Sequence, residues 1–356
     1  MANLDDVNAI KKLDVSNMLG SIEELHLQCE QTWGDIGKIT VPDTYKRARN
    51  VVVAGMGGSA LGPHVVQSLF FDQLMVPLHI INDYHLPAYV NEDSIVLLSS
   101  NSGTTEEVLS AAKESLSRRA MLMGMSAGGK LSQFFNDHNV PAYMFKQTHN
   151  PSGQPRMGNG YMIVGMIGLF YKAGLIQFNE KEISESVALM ILLHTKWGVG
   201  VPTKNNPAKE FAIGCHGKIV ALVGSSFLMG NVHAWNNQIN ENAKNFSLFQ
   251  ALPELNHHLL EGLGFPKTNP NTLAFLFINS PLYEERIRKR FALTMDVVAK
   301  NKIDAREFVP EGTTRLAQSL VTLLFGSYFG FYLAMLNDLN PSPIPWVDYF
   351  KAELAK

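Results

Sequence analysis

Short apolar runs, each followed by a turn rich in glycine or hydroxyl side chains and then by a stretch with helical spacing, recur along this chain and restrict it to alternating strands and helices. Strands are expected at Asn50–Ala54, Leu78–Ile81, Ile95–Ser99 and Ala120–Met125, with helices after Gly62, after Thr105 and around Leu131–Asn136. Uninterrupted apolar runs such as Ile95-Val96-Leu97-Leu98 suit strands covered on both faces, and this alternation builds a parallel sheet. An apolar helix over Tyr161–Ala173 follows, and the segment Thr195–Asn206, rich in Gly, Pro, Lys and Asn, punctuates the chain. The pattern then resumes, with a strand at Lys218–Val223, a turn at Gly224-Ser225-Ser226, a helix over Leu228–Lys244, a strand at Leu273–Ile278 and a helix over Pro281–Lys300. The expected fold class is α/β: two doubly wound parallel-sheet units with flanking helices, the first over 41–195 and the second over 205–356. Residues 1–40 form a helical lead-in, with Leu19, Ile22 and Leu25 spaced for one face.

Composition narrows what such a chain does. At 356 residues it exceeds the size of one ordinary core, and with 46% hydrophobic and 17% charged residues it has the means to bury two. A net charge of −2 offers no general attraction to nucleic acid or to an anionic membrane, so a small anionic ligand has to be held by locally placed groups. Two cysteines, Cys29 and Cys215, are too few for a disulfide framework, and no CxxC or paired-His spacing points to a metal. The N-terminal Met-Ala-Asn-Leu-Asp-Asp lacks the layout of a secretory signal, and no uninterrupted apolar run reaches membrane-spanning length. The expected location is the cytoplasm.

Two loops carry the chemistry. Gly55-Met56-Gly57-Gly58-Ser59-Ala60-Leu61-Gly62 follows the first strand, where glycines let backbone N–H groups approach a ligand at the positive end of the next helix. As a dinucleotide fingerprint this is weak, because the acidic residue that should bind a ribose some 20 residues on is missing, with Asp83 too far along. The third strand ends in Ser99-Ser100-Asn101-Ser102-Gly103-Thr104-Thr105-Glu106-Glu107. One hydroxyl is enough to cap a helix. The surplus leaves two readings open: local capping, or a neutral phosphate cradle built from Ser59, Ser100, Ser102, Gly103 and Thr105, since loops after neighbouring parallel strands meet at one sheet edge.

"GMGGSALG" followed about 40 residues later by "SSNSGTTEE" resembles the sugar isomerase (SIS) domain. "QPRMGNGYMI", "NQINENAK", "PELNHH" and "LNPSPIPWVDYFKAEL" are similar to stretches of the bifunctional phosphoglucose/phosphomannose isomerases, which carry two SIS domains in one chain. The resemblance implies reversible aldose–ketose isomerisation of hexose 6-phosphates, without metal or other cofactor, in a homodimer. It implies Glu241 as the base, His257 as the ring-opening acid/base reaching a neighbouring subunit, and Arg156 as the stabiliser of the enediolate. Gly58, Ser59, Ser100, Ser102, Gly103, Thr105, Ser342 and Lys351 are implied to hold the substrate. Isomerisation needs a carboxylate over C1 and C2 and a second group at the ring oxygen, whatever the family. Ser342 stands where the family commonly has threonine, Phe325-Gly326-Ser327 replaces a Leu-Gly-Asp, "TTEEV" replaces "NTEET", and Tyr349 competes with Lys351 for the family's C-terminal lysine position. A non-catalytic phosphosugar-binding regulator is the alternative, set back because it needs neither Glu241 nor Arg156. A nicotinamide-linked oxidoreductase is set back by the missing ribose-binding acid.

Overall fold

The computed structural model of the chain describes residues 3–354 and Lys356. Three helices open it: α1 (Val7–Leu13), α2 (Met18–Glu23) and α3 (Leu25–Ile36). The first sheet follows, built from β1 (Asn50–Gly55), α4 (Gly58–Leu69), β2 (Leu78–Ile81), β3 (Ser94–Ser100), α5 (Glu106–Ser117), β4 (Met121–Ser126), α6 (Gly129–Asp137) and β5 (Ala142–Met144). Helices α7 (Asn159–Lys172), α8 (Lys181–Trp197) and α9 (Pro207–Cys215) lead to the second sheet. That sheet uses β6 (Ile219–Ser225), α10 (Met229–Gln238), β7 (Ser247–Leu252), α11 (Leu259–Gly262), α12 (Asn269–Thr272), β8 (Leu273–Ile278), α13 (Glu285–Lys300) and β9 (Asp304–Phe308). The chain closes with α14 (Arg315–Leu336) and α15 (Pro345–Leu354).

Both sheets are wholly parallel, in the orders β2-β1-β3-β4-β5 and β7-β6-β8-β9. The side-chain period of two explains the double winding. In β1 and β3, Val51, Val53, Ile95 and Leu97 enter the main core with Leu61 and Val65 of α4 and Met162 of α7. Their neighbours Val52, Ala54, Val96 and Leu98 face the other way, onto Val108 and Ala111 of α5 and Phe135 of α6. A strand read from both sides has to be apolar at every position, and all seven residues of β3 are buried.

Chain order reverses beside β1 in the first sheet and beside β6 in the second, and open α/β sheets bind ligands at the carboxyl ends of strands at such points. The loops after β1 and β3 lie there, because Gly55 is in register with Ser99.

The expected strands fall within a residue or two of those observed, while several helices differ. Helix α4 begins at Gly58, not near Gly62, because Gly57 takes a φ of +49° and turns the chain straight from the strand into the helix. The expected helix Leu228–Lys244 stops as an α-helix at Gln238 and continues as a π-turn over Ile239–Ala243. Strands β5, β7 and β9 lack a strong apolar run because they lie toward or at sheet edges, with burial mostly incomplete. Helix α14 is the larger surprise: it is long and apolar enough to cross a membrane, with mean hydropathy 1.6, and its most apolar window is entirely buried within the protein. Gly326, within the Phe325-Gly326-Ser327 stretch, lies there because a Cβ would stand 2.8 Å from the Trp235 ring.

The two halves share one continuous core, joined where α10 crosses α4. Their backbones touch at Gly230, where a Cβ would stand 2.3 Å from the His64 carbonyl oxygen of α4. Gly230→Ala is therefore expected to destabilise the chain by about 1–3 kcal/mol, outweighing the roughly 1 kcal/mol by which Ala is the better helix former. Chemical denaturation checks this, and an unchanged or raised stability would mean that α4 and α10 separate at little cost.

Candidate active site

The two loops at the first sheet's switch point are stitched together by side chains. Ser59 Oγ accepts the Asn101 N–H at 2.8 Å, and Ser99 Oγ donates to the Ser59 carbonyl at 2.8 Å. Ser100 Oγ and Thr105 Oγ1 lie 2.8 Å apart, and Ser100 Oγ also accepts the Gly103 N–H at 3.0 Å. Ser102 Oγ accepts from both the N–H and the hydroxyl of Thr104, at 3.3 and 3.1 Å. Gly103 cannot be replaced in this geometry: its φ is +66° and a Cβ would stand 1.7 Å from the Gly128 carbonyl oxygen. Thr105 occupies the N-cap of α5 but makes no capping bond, so the first-turn amides of that helix remain available to an anion. Capping thus does not account for the hydroxyls.

Gly58 contributes closeness. A Cβ there would stand 3.1 Å from the Arg156 backbone nitrogen, so the first loop lies directly on the short helical turn Pro155–Met157 that carries Arg156. The Arg156 guanidinium is 2% exposed and almost fully engaged. Its Nε donates to Asn242 Oδ1 at 2.5 Å, Nη1 to Gln154 Oε1 at 2.8 Å, and Nη2 to the carbonyls of Pro341 and Ser342 at 3.1 and 2.7 Å. Four of five N–H groups are used, and the group with the spare donor, Nη1, stands 3.5 Å from Glu241 Oε2.

Glu241 sits in the π-turn that ends the α10 segment, a distortion that often marks functional positions because it re-aims side chains out of helical register. Its side chain is 28% exposed. Burial holds the carboxyl above the usual glutamate range, with the charges of Arg156, Lys351 and Lys244 acting in the opposite direction. Burial likewise pulls the Arg156 guanidinium below its usual value, against the charges of Glu241 and Asp348.

The segment after α14 completes this cluster. Ser342 is 3% exposed; its carbonyl is held by Arg156, while its hydroxyl is buried without a partner. Lys244, in a left-handed conformation with φ +50°, turns its ammonium onto the Pro341 and Asn340 carbonyls at 2.8 and 3.2 Å. Helix α15 brings Asp348 and Lys351 within electrostatic range of Arg156 and Glu241, whereas Tyr349 is 61% exposed.

Arg156, Glu241, Ser342 and Lys351 are thus drawn together, and the loop residues Gly58, Ser59, Ser100, Ser102, Gly103 and Thr105 lie alongside. His257 is not brought in. It ends the short helical turn Glu254–His257 after β7, exposed, with no hydrogen-bond partner for its ring among the described residues, and it is not among the charges acting on Glu241. Its neighbour His258 is paired with Glu254 at 2.7 Å. Asn242 and Gln154, which fix the guanidinium, escaped the sequence reading, although each lies within two residues of a residue that was singled out. Ser327 belongs to the same support: it donates to Gln238, which donates to the Arg156 carbonyl. No group of three or more His, Cys, Asp and Glu side chains is arranged to hold a metal among the described residues.

The chain is 30% identical over 342 residues to a bifunctional phosphoglucose/phosphomannose isomerase of Caldicellulosiruptor bescii, spanning 95% of this chain and 99% of that relative. The chain belongs to the bifunctional phosphoglucose/phosphomannose isomerase family. A second member, from Thermoplasma acidophilum, is 28% identical, with 86% of this chain and 90% of that one covered. Residues 204–354 match the family described as the bacterial phospho-glucose isomerase C-terminal SIS domain, which takes in Glu241, His257, Ser342 and Lys351. Among solved structures, a hypothetical protein of Thermus thermophilus superposes with a TM-score of 0.74 at 15% identity, covering 98% of this chain and 93% of that one. That likeness reports the fold.

An anion cradle in the hydroxyl loop has a measurable consequence. Removing both hydroxyls in Ser100→Ala/Thr105→Ala should weaken inorganic phosphate binding by roughly 1.5–3 kcal/mol per lost hydrogen bond to the charged acceptor, as read by calorimetry. Unchanged phosphate binding with a lowered melting temperature would show that the hydroxyls only hold the loop together.

Proposed function

We propose that this chain interconverts glucose 6-phosphate and mannose 6-phosphate with fructose 6-phosphate, by moving a proton between C1 and C2 through a cis-enediol(ate). The observation that carries this reading is a partly buried carboxylate, Glu241, 3.5 Å from a guanidinium with one donor to spare, in a chain similar along nearly its whole length to isomerases of these sugars. The 6-phosphate docks on the Ser59 and Ser100–Thr105 loops and the α5 amides, which are neutral and so release a phosphomonoester readily. The sugar carbons then lie toward Glu241. A carboxyl held above the usual range by burial is a stronger base than an exposed glutamate, which suits abstraction of a weakly acidic C–H proton. As negative charge develops on the O1 and O2 oxygens, the spare Nη1 donor of Arg156 stabilises it, and four fixed bonds mean that the guanidinium need not reorganise to do so. The Ser342 hydroxyl, buried without a partner, is available to a sugar hydroxyl.

The reaction proceeds without a metal and in the cytoplasm; free, buried Cys29 and Cys215 are consistent with a reducing compartment. A coupled assay on glucose 6-phosphate and mannose 6-phosphate, with and without chelator, tests the whole reading, and equal turnover in both conditions is expected. Glu241→Gln keeps the volume but cannot accept a proton, so the rate should fall by about a hundredfold or more. The profile of kcat/KM against pH should fall on its acid side above the ordinary glutamate range, because the base must be ionised and burial raises its pKa. A variant retaining more than about a tenth of the wild-type rate would remove Glu241 from the role of base.

Ring opening needs a second acid/base, and an imidazole both gives and takes a proton near neutrality. His257 fits that task from a second subunit, since its ring is exposed and hydrogen-bonded to no group of its own chain among the described residues. Mixing Glu241→Gln with His257→Ala protein should therefore restore activity that neither has alone, through hybrid dimers with one intact site. No recovery on mixing, with subunit exchange verified by mass spectrometry, would rule out service across the interface.

A further inference from the structure

Asn101 lies between two hydroxyl residues of the phosphate loop, yet its carboxamide does not join their hydrogen bonds. It pairs with Gln147, whose Nε2 donates to Asn101 Oδ1 at 3.0 Å while Asn101 Nδ2 donates to Gln147 Oε1 at 3.4 Å. Gln147 Oε1 also accepts from Asn150 Nδ2 at 2.9 Å, and the same Nδ2 donates to the Gln154 carbonyl at 2.9 Å. Gln154 Oε1 in turn accepts from Arg156 Nη1 at 2.8 Å, the nitrogen that faces Glu241. Asn101 is 5% exposed and Asn150 3%, while Gln147 and Gln154 are half-buried. The direction of the chain is fixed from outside: Ser21 of α2 donates to Asn150 Oδ1 at 2.8 Å, which turns the donor end of that amide onto Gln147 and Gln154.

Two further contacts tie this chain to the loops. The Asn101 N–H is the donor that Ser59 Oγ accepts, so both phosphate loops are fastened at this residue. The amide pair also lies against the backbone just beyond Arg156, where a Cβ on Gly158 would stand 3.4 Å from Asn101 Nδ2 and 3.6 Å from Gln147 Oε1.

We propose that Asn101 and Gln147 are positioning residues which set the Arg156 guanidinium from the phosphate loop, so that a correctly seated phosphate and a correctly aimed oxyanion donor are coupled. This rests on the isomerase reading above. The Ser100–Thr105 backbone holds Asn101 in place, and through Gln147 and Asn150 that hold reaches the backbone carbonyl of Gln154, the residue whose Oε1 fixes Nη1. None of the four side chains between the loop and Arg156 titrates, so none of them gives or takes a proton itself.

The test measures kcat and KM on glucose 6-phosphate across pH for Gln147→Leu and Gln147→Glu, each alone and combined with Arg156→Lys. The glutamate variant keeps the side-chain length and the acceptor oxygen but replaces the donor amide by a second acceptor, so its carboxylate cannot donate to Asn101 Oδ1, and it carries the test if the leucine variant fails to fold. Expected are a fall in kcat of about tenfold or more and KM within about threefold. In the double variants, the Gln147 substitution should add less than about twofold to the loss from Arg156→Lys, because both act through one guanidinium. Unchanged kcat in the Gln147 variants, or fully additive losses in the doubles, overturns the inference while active wild type leaves the isomerase reading standing. Wild-type protein without turnover on any of the three hexose phosphates overturns that reading, and this inference with it.

Discussion

The buried guanidinium of Arg156 is the interaction around which the candidate site is built. A charge removed from water costs several kcal/mol unless it is bonded on all sides, and this one binds partners from three separate stretches: Gln154 beside it, Asn242 in the π-turn, and the carbonyls of Pro341 and Ser342. Those stretches come from the first half of the chain, the second half and the segment after the long buried helix. The same requirement that satisfies the charge therefore fixes where Glu241 and Ser342 lie relative to the first sheet. Removing any one partner leaves a buried donor unmet, so the arrangement has little room to drift.

Around that centre the N-terminal helices act as a brace. Gln28 of α3 donates to the carbonyls of His149 and Met157 and accepts the Gly160 N–H, and Ser21 of α2 reaches Asn150. These bonds clamp the irregular segment between β5 and α7, which has few backbone partners of its own. A stretch that reads as a mere lead-in thus holds the Arg156 loop in place, a link between distant packing and site geometry that spacing along the sequence does not reveal.

The hydroxyl loop illustrates how a polar cluster serves two ends. Internal bonds between Ser100, Gly103 and Thr105, and between Ser102 and Thr104, organise the turn. The Ser102 hydroxyl proton, the second proton of the Ser100–Thr105 pair and the uncapped helix amides nonetheless remain able to donate to an anion. The Thr105 hydroxyl faces inward to Ser100 rather than capping its helix, which makes the positive end of α5 an open position at the sheet's switch point.

By itself the sequence determined the fold class, the strands at the centre of each sheet and the two loops at their ends. Such features depend on local periodicity and on glycine and hydroxyl chemistry, both of which a linear pattern carries. The candidate residues Glu241, Arg156 and Ser342 were legible too, through the likeness of their surrounding words to the family. Only the tertiary structure decided that these residues meet, that the helix bearing Glu241 ends in a π-turn, that α14 is a core helix, and that the His257 side chain is exposed and outside the bonds around Arg156. Each of those outcomes depends on contacts between residues 85 to 186 positions apart, as in the bonds of Arg156 to Asn242 and Ser342, or on burial by distant elements. The physical reason is that burial and charge satisfaction belong to the assembled chain: a carboxylate's pKa, a guanidinium's free donor and a helix's solvent exposure exist only once the partners have arrived.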